Sequence, residues 1–186
     1  MQTSEFLDRK LSKRFRTYDD DGDGFIERED FAVASRRLGA EFGHGPESEL
    51  WQQFDALCLG LWDHLVEVAD ADGDGRIGEQ EYKDAFARGM LETPESFDAA
   101  YLPFLEALLR IVDGDGDGQI DVEEEIRWTG ALMRLTEAEA RGAFAGVDQD
   151  GDGYITTQEL LEAIRAYYFD EDPAGPGAWL LGDLDR

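Results

Sequence analysis

DQDGDGYITTQE, residues Asp148 to Glu159, carries a carboxylate at every second position and then a turn: Asp148, Asp150 and Asp152, followed by Gly153. A hard dication such as Ca²⁺ takes six to eight oxygen ligands at about 2.3–2.6 Å. Alternating carboxylates at positions 1, 3 and 5 of such a loop present three of them from one side. Gly153, at position 6, permits a turn that a residue with a Cβ resists. Tyr154, at position 7, offers its backbone carbonyl, and Glu159, at position 12, reaches back with both oxygens from the first turn of the next helix.

The pattern occurs four times. DDDGDGFIERED spans Asp19 to Asp30, DADGDGRIGEQE spans Asp70 to Glu81, and DGDGDGQIDVEE spans Asp113 to Glu124. Every copy has Asp at positions 1, 3 and 5, Gly at 6 and Ile at 8. The predicted ligands of the first loop are Asp19, Asp21, Asp23, the carbonyl of Phe25, and Asp30. Those of the second are Asp70, Asp72, Asp74, the carbonyl of Arg76, and Glu81; those of the third are Asp113, Asp115, Asp117, the carbonyl of Gln119, and Glu124. The fourth repeats the set with Asp148, Asp150, Asp152, Tyr154 and Glu159. Solvated acidic runs do not hold Gly and Ile at fixed offsets, so the repeat reads as four cation loops and not as charged surface.

The 186-residue chain has a formal charge of −27, with 42% hydrophobic and 11% aromatic residues, enough for a packed core. Sixteen of its carboxylates stand at the predicted ligand positions of the four loops. Four bound dications, contributing +8, would bring −27 to −19, so cation binding should stabilise the fold. A surface this acidic excludes nucleic acid and anionic membrane as partners. The single cysteine, Cys58, excludes an internal disulfide and reads as a small buried apolar group on a helix. His44 and His64 have no cysteine companions, which argues against zinc. The first residues, MQTSEFLDRKLSKRF, carry charge throughout, and Gln2 excludes an N-myristoyl signal. A cytoplasmic monomer is the expectation.

Apolar periodicity predicts eight principal helices flanking the loops, an all-α fold of four helix–loop–helix units in two paired lobes, residues 1–91 and 92–186. Residues 3–18 form an amphipathic helix capped by Thr3 or Ser4. The helix after loop 1 should stop near Gly39, and Pro46 should open a long helix over residues 46–69. The helix after loop 2 carries Tyr82, Phe86 and Met90, and Thr93-Pro94-Glu95 reads as a helix start at the joint between halves. Pro103 should break any helix continuing from it, giving a fresh one from about residue 102 to 112. The helix after loop 3 should loosen near Gly130, and Thr136 with Glu139 has capping-box spacing. Ile26, Ile77, Ile120 and Ile155 should pair in short antiparallel contacts, loop 1 with loop 2 and loop 3 with loop 4. The ending, DEDPAGPGAWLLGDLDR, with Pro173, Trp179, Leu180 and Leu181, is too apolar for a solvated terminus.

The loops identify the chain as resembling the EF-hand superfamily. Within it, the chain resembles the sarcoplasmic calcium-binding proteins and bacterial proteins of the calerythrin type over nearly its whole length. Four features carry the narrower likeness. Loop starts are spaced 51, 43 and 35 residues apart; Asp30 replaces Glu at position 12 of loop 1; LWDHLVEVAD precedes loop 2; and YYFDEDPAGPGAWLLGDL resembles that family's terminal segment, which folds back into the core. Many relatives have a degenerate second loop, whereas Asp70 to Glu81 is intact here, so the number of working sites does not carry over.

The resemblance implies a calcium-binding protein and not an enzyme. Asp30 is one methylene shorter than Glu, which favours a tighter, six-coordinate cage and hence Mg²⁺ competition at loop 1. Position 9 offers water-mediated contacts, through Glu27 or Asp121, with room for water beside Gly78. An intracellular calcium buffer or transport protein is the leading function. The alternative is a sensor that exposes an apolar groove to a protein target. Sensor grooves favour methionine, and only Met90 and Met133 lie inside the chain, against 21 aromatic residues. A third class is an enzyme or a calcium-triggered ligand carrier, as among the related photoproteins. No nucleophile–base pair supports it; a large aromatic-lined cavity would revive it.

Overall fold

Five helices begin where a short polar side chain satisfies a free backbone N–H group. In the computed structural model, which describes residues 4–89, 93, 97–170, 172, 175–178, 180–182 and 184 (100 and 176 by backbone alone), the first helix, α1, spans Glu5–Tyr18. Ser4 Oγ accepts from the Leu7 amide at 3.2 Å, fixing its start. The other helices are α2 (Arg28–Glu41), α3 (Glu49–Ala69), α4 (Glu79–Ala87), α5 (Phe97–Val112), α6 (Val122–Met133), α7 (Glu137–Val147) and α8 (Thr157–Phe169). Met90, Pro94, Glu95, Pro173, Trp179 and the lobe boundary at 91/92 fall outside the described residues.

The isoleucine pairing is present. Strands β1 (Phe25–Ile26) and β2 (Ile77–Gly78) are antiparallel, with Ile26 opposite Ile77. Ile120 and Ile155 exchange both backbone hydrogen bonds, at 2.9 and 2.8 Å. All four side chains are fully buried, so each pair ties two loops together and roots them in the core.

Four helix boundaries differ from the sequence expectation. Pro103 lies inside α5, not at a break. An interior proline costs about 3 kcal/mol. Phe97, Tyr101, Leu105, Leu108, Ile111 and Val112 bury one face running through it, which offsets that cost. Gly39 does not end α2: a Cβ there would collide with the Trp51 ring, so this glycine lets α3 approach. The chain turns instead at Gly43, whose φ is +76°. Pro46 precedes α3, which is capped by Ser48 through the Trp51 amide. Gly130 is helical, and α6 ends at Arg134, in the left-handed region at φ 58°.

The helices share one apolar core that includes residues from all eight. Within the first pair α1 lies against α4 and α2 against α3; across the pairs α2 packs on α6, α3 on α5 and α1 on α8. Polar contacts reinforce the α1–α8 junction. Lys10 is buried, and its Nζ donates to the carbonyls of Ala166, at 3.3 Å, and Asp170, at 2.7 Å, capping the end of α8. The Tyr167 hydroxyl donates to the Lys10 carbonyl. The final segment folds back: a 3₁₀ turn at Pro176–Ala178 packs on α7 and α8, and Ala178, Leu180 and Leu181 are buried. Among the described residues, no helix is long and apolar enough to cross a membrane.

Candidate metal centres

The loop backbone is shaped by its own first aspartate. Asp148 Oδ1 accepts from the Gly151 amide at 2.8 Å, and Oδ2 from the Gly153 amide at 3.1 Å. Asp19, Asp70 and Asp113 make the corresponding bonds in the other loops. The position-6 glycines have φ from +84° to +92°, a region costly for any residue with a Cβ. Position 4, glycine in all four loops, is likewise at +73° to +79°. That requirement is visible in the repeat itself.

The position-12 carboxylate closes each loop from the first turn of the outgoing helix. One Glu159 oxygen accepts from the Gln149 amide at 3.2 Å, the other from the Thr156 amide at 2.9 Å. Glu81 bonds Ala71 and Gly78 in the same way, and Glu124 bonds Gly114 and Asp121. Asp30, despite its shorter side chain, spans the same gap, to the Asp20 amide at 3.1 Å and the Glu27 amide at 2.6 Å. These bonds aim the carboxylate inward and stiffen it before any ion arrives.

Positions 1, 3 and 12 converge in every loop. In Asp19–Asp21–Asp30, Asp70–Asp72–Glu81, Asp113–Asp115–Glu124 and Asp148–Asp150–Glu159, one carboxylate oxygen from each residue lies within 4.8 Å of the others. Three hard, anionic oxygen donors at that separation fit Ca²⁺ or Mg²⁺. The position-5 aspartates are not part of these clusters. Asp23, Asp74, Asp117 and Asp152 instead accept from the amides of Phe25, Arg76, Gln119 and Tyr154 at 2.8–2.9 Å, orienting the position-7 residues. Position 9 proves to be a helix cap: Asp121 Oδ1 accepts from the Glu123 and Glu124 amides, both at 2.8 Å, and Thr156 Oγ1 from Glu159.

The four sites are not electrostatically equal. Loop 1 is the most enclosed, with Asp19 and Asp30 both buried. Burial raises the pKa of Asp30 against the hydrogen bonds from Glu27 and Asp20, and raises that of Glu124 against those from Gly114 and Asp121. Loop 2 carries a cation of its own. The Arg76 guanidinium donates to Asp74 Oδ2 at 3.0 Å, lies 4.0 Å from the Phe25 ring centre, and approaches Glu27 at 3.9 Å. Its hydrogen bond holds the Asp74 carboxyl below its usual pKa and competes with an ion for that oxygen. Arg76→Gln should therefore tighten cation binding at loop 2 by about two- to fivefold, a scale set by exposed ion pairs. Calcium titration of the variant beside the wild type checks it.

Two features were illegible in the sequence. Asp20, at position 2 of loop 1, is held bidentately by Arg37 of α2, at 2.8 and 3.0 Å. Arg134, from the end of α6, donates to the carbonyls of Arg16, Asp19 and Asp20. Both partners lie too far along the chain for any local signal. The second is Glu125, behind loop 3. It is buried with the Trp128 indole N–H donating to it, and burial pushes its pKa up to about 8. Its folded pKa exceeds the unfolded value of about 4.3. Its ionisation therefore erodes stability as pH rises from about 4, with the full loss reached above about 8. Glu125→Gln should stabilise the protein by about 1–3 kcal/mol at pH 8 and negligibly at pH 4.5. The difference between the two urea midpoints across that range measures it.

These loops match known proteins. A family model of an EF-hand domain pair matches residues 8–87, a model of a single EF hand matches 105–124, and a second domain-pair model matches 129–167. Calerythrin of Saccharopolyspora erythraea is 32% identical over 168 residues, covering 90% of this chain and 94% of that protein. A calcium-binding protein of Streptomyces coelicolor, described in the context of prokaryotic calcium-mediated regulation, is 37% identical. Its structure aligns with a TM-score of 0.77 over 87% of this chain and 97% of its own. The sarcoplasmic calcium-binding protein of amphioxus, 20% identical, shares the fold with a TM-score of 0.74 over 98% of this chain and 99% of its own. Four loops of one geometry, paired two by two, together with a relative matched along nearly its entire length, place this chain in the EF-hand family, alongside calerythrin.

Proposed function

We propose that this protein is a calcium buffer of the cytoplasm that binds its ions without opening. Asp19, Asp21, Asp23 and Asp30, Asp70, Asp72, Asp74 and Glu81, Asp113, Asp115, Asp117 and Glu124, and Asp148, Asp150, Asp152 and Glu159 would supply the carboxylates, with the position-7 carbonyls completing each set. The observation carrying the reading is the seated terminal segment. Leu180 and Leu181 are buried against the helices, so part of the apolar surface that a sensor would offer a target is covered by the chain itself. Aromatic packing supports it: Phe97, Tyr101, Tyr168 and Phe169 form a contiguous stack across α5 and α8. Such rings repack less readily than methionine.

The sensor reading is favoured by the 37% identical Streptomyces coelicolor protein and its regulatory context. Fluorescence of an apolar-surface dye separates the two. A signal that is high without metal and low in both Mg²⁺ and Ca²⁺ supports the buffer. A signal raised by Ca²⁺ above the Mg²⁺ level would establish the sensor and direct attention to a target. At loop 1, the shorter Asp30 clamp should favour Mg²⁺ relative to the other loops. Asp30→Glu should shift that site toward Ca²⁺, read by calorimetric titration in excess Mg²⁺; an unchanged preference refutes the assignment.

A further inference from the structure

Protein interiors seldom keep voids larger than a water molecule. Between the two EF-hand pairs this one does. About 70 Å³ of the space there is wide enough to admit the centre of a water molecule. The void is narrow, and its wall is predominantly apolar, with Phe104, Leu105, Leu108, Trp128 and Leu132 prominent.

Two charged residues, Arg14 and Asp30, contribute to the wall, and Arg14 is the cation. Arg14 of α1 lines the void. Its Nε donates to the Tyr168 hydroxyl at 3.1 Å, one terminal nitrogen to the Tyr18 hydroxyl at 2.8 Å, and the other lies 3.7 Å from Met133 Sδ. Tyr168 in turn accepts from Tyr101 at 3.2 Å. A guanidinium has five N–H donors, so these contacts leave two. Among the described residues no carboxylate pairs with Arg14. A cation set in an apolar interior without a counter-ion is costly, and the cost is relieved by an anion that forks onto the free edge. In a chain of net charge −27, an arginine without a carboxylate partner stands apart from the ion-paired arginines at 37, 76, 127 and 141.

We propose that this cavity binds a slender apolar carboxylate, the class of a short- to medium-chain fatty acid. The carboxylate would lie on Arg14 and the hydrocarbon in the void between α1, α5 and α6. An aliphatic chain suits a narrow void better than a rigid polycyclic molecule does. The pairing of an apolar wall with one cation selects an amphiphilic anion over a neutral oil. This would give the protein a second ligand besides its cations. The void lies next to loop 1, since Asp30 also contributes to its wall, so the occupant and the loop-1 ion would share an enclosure.

The test uses the full-length, Ca²⁺-saturated protein, with octanoate as probe and 1-octanol as the uncharged control. Binding is read by calorimetry and by the fluorescence of Trp128, which borders the void. The expected result is one octanoate per chain, bound at least about tenfold more tightly than octanol. Arg14→Met should remove that preference while leaving octanol binding unchanged. Ala34→Leu, which narrows the void and keeps Arg14, should abolish both. If octanoate fails to bind the wild type, or binds the Arg14→Met protein with unchanged strength, the proposal is overturned. Should Arg14→Met not fold, as judged by circular dichroism, the octanoate-to-octanol ratio and the Ala34→Leu protein decide the matter alone.

Discussion

Removal of divalent cations with a chelator is expected to lower the thermal midpoint of this protein by tens of degrees. Sixteen carboxylates stand at the ligand positions of the four loops, in a chain whose net charge is −27. In each loop three of them are gathered to within 4.8 Å. Without counter-charge they repel, and the hydrogen bonds that hold position 12 inward only concentrate that repulsion. A ligand bound to the folded state alone at a thousand times its dissociation constant contributes about 4 kcal/mol per site. Two or more occupied loops would then match the whole stability of an ordinary domain, about 5–15 kcal/mol. Melting followed by circular dichroism, in excess Ca²⁺ and in chelator, measures the effect. A midpoint that moves by only a few degrees would mean that the helical core holds the loops in shape unaided.

Gly177→Ala is the substitution with the largest expected effect. A Cβ at this position would stand inside the backbone of α8, against the Tyr167 nitrogen and the Ala166 carbonyl carbon. Hydrogen-bonded helix backbone cannot yield as a flexible side chain can, so the terminal segment must lift. Lifting it exposes Ala178, Leu180 and Leu181, all buried in the wild type. At about 1.5–3 kcal/mol for each of the two leucines, the loss is about 3–6 kcal/mol. The same variant bears on function, because it uncovers the surface that a sensor would expose. Dye fluorescence in Ca²⁺ should rise well above the wild type, while the loops, rooted through the paired isoleucines, should still bind calcium. Wild-type stability and dye signal in the variant would show that the segment contributes no closure.

The family, the four loops and their pairing were legible in the chain because they depend on local rules. Asp at alternating positions, Gly where φ must be positive and Ile where two loops meet are all constraints within twelve residues. The terminal segment was legible for a simpler reason: Leu180 and Leu181 are costly to leave in water. Helix ends were less so. At Pro103 local chemistry predicted a break, and the burial of Phe97 and Tyr101 on one side with Leu105 and Leu108 on the other kept the helix whole. At Gly39 a residue that often ends helices serves instead to let Trp51 approach.

What the sequence by itself determined is where this protein can hold cations, since a dodecapeptide carries its own ligands, its own turn and its own closing carboxylate. Tertiary structure alone decided how the sites differ. Arg37 and Arg134 reach loop 1 from distant helices, and Arg76 of loop 2 lies over the Phe25 ring of loop 1. The central void and the place of Arg14 beside the Tyr18 and Tyr168 hydroxyls were decided there too. Cation ligation is a short-range property of consecutive residues, whereas solvation, counter-charge and free space depend on which faces the packed helices bring together.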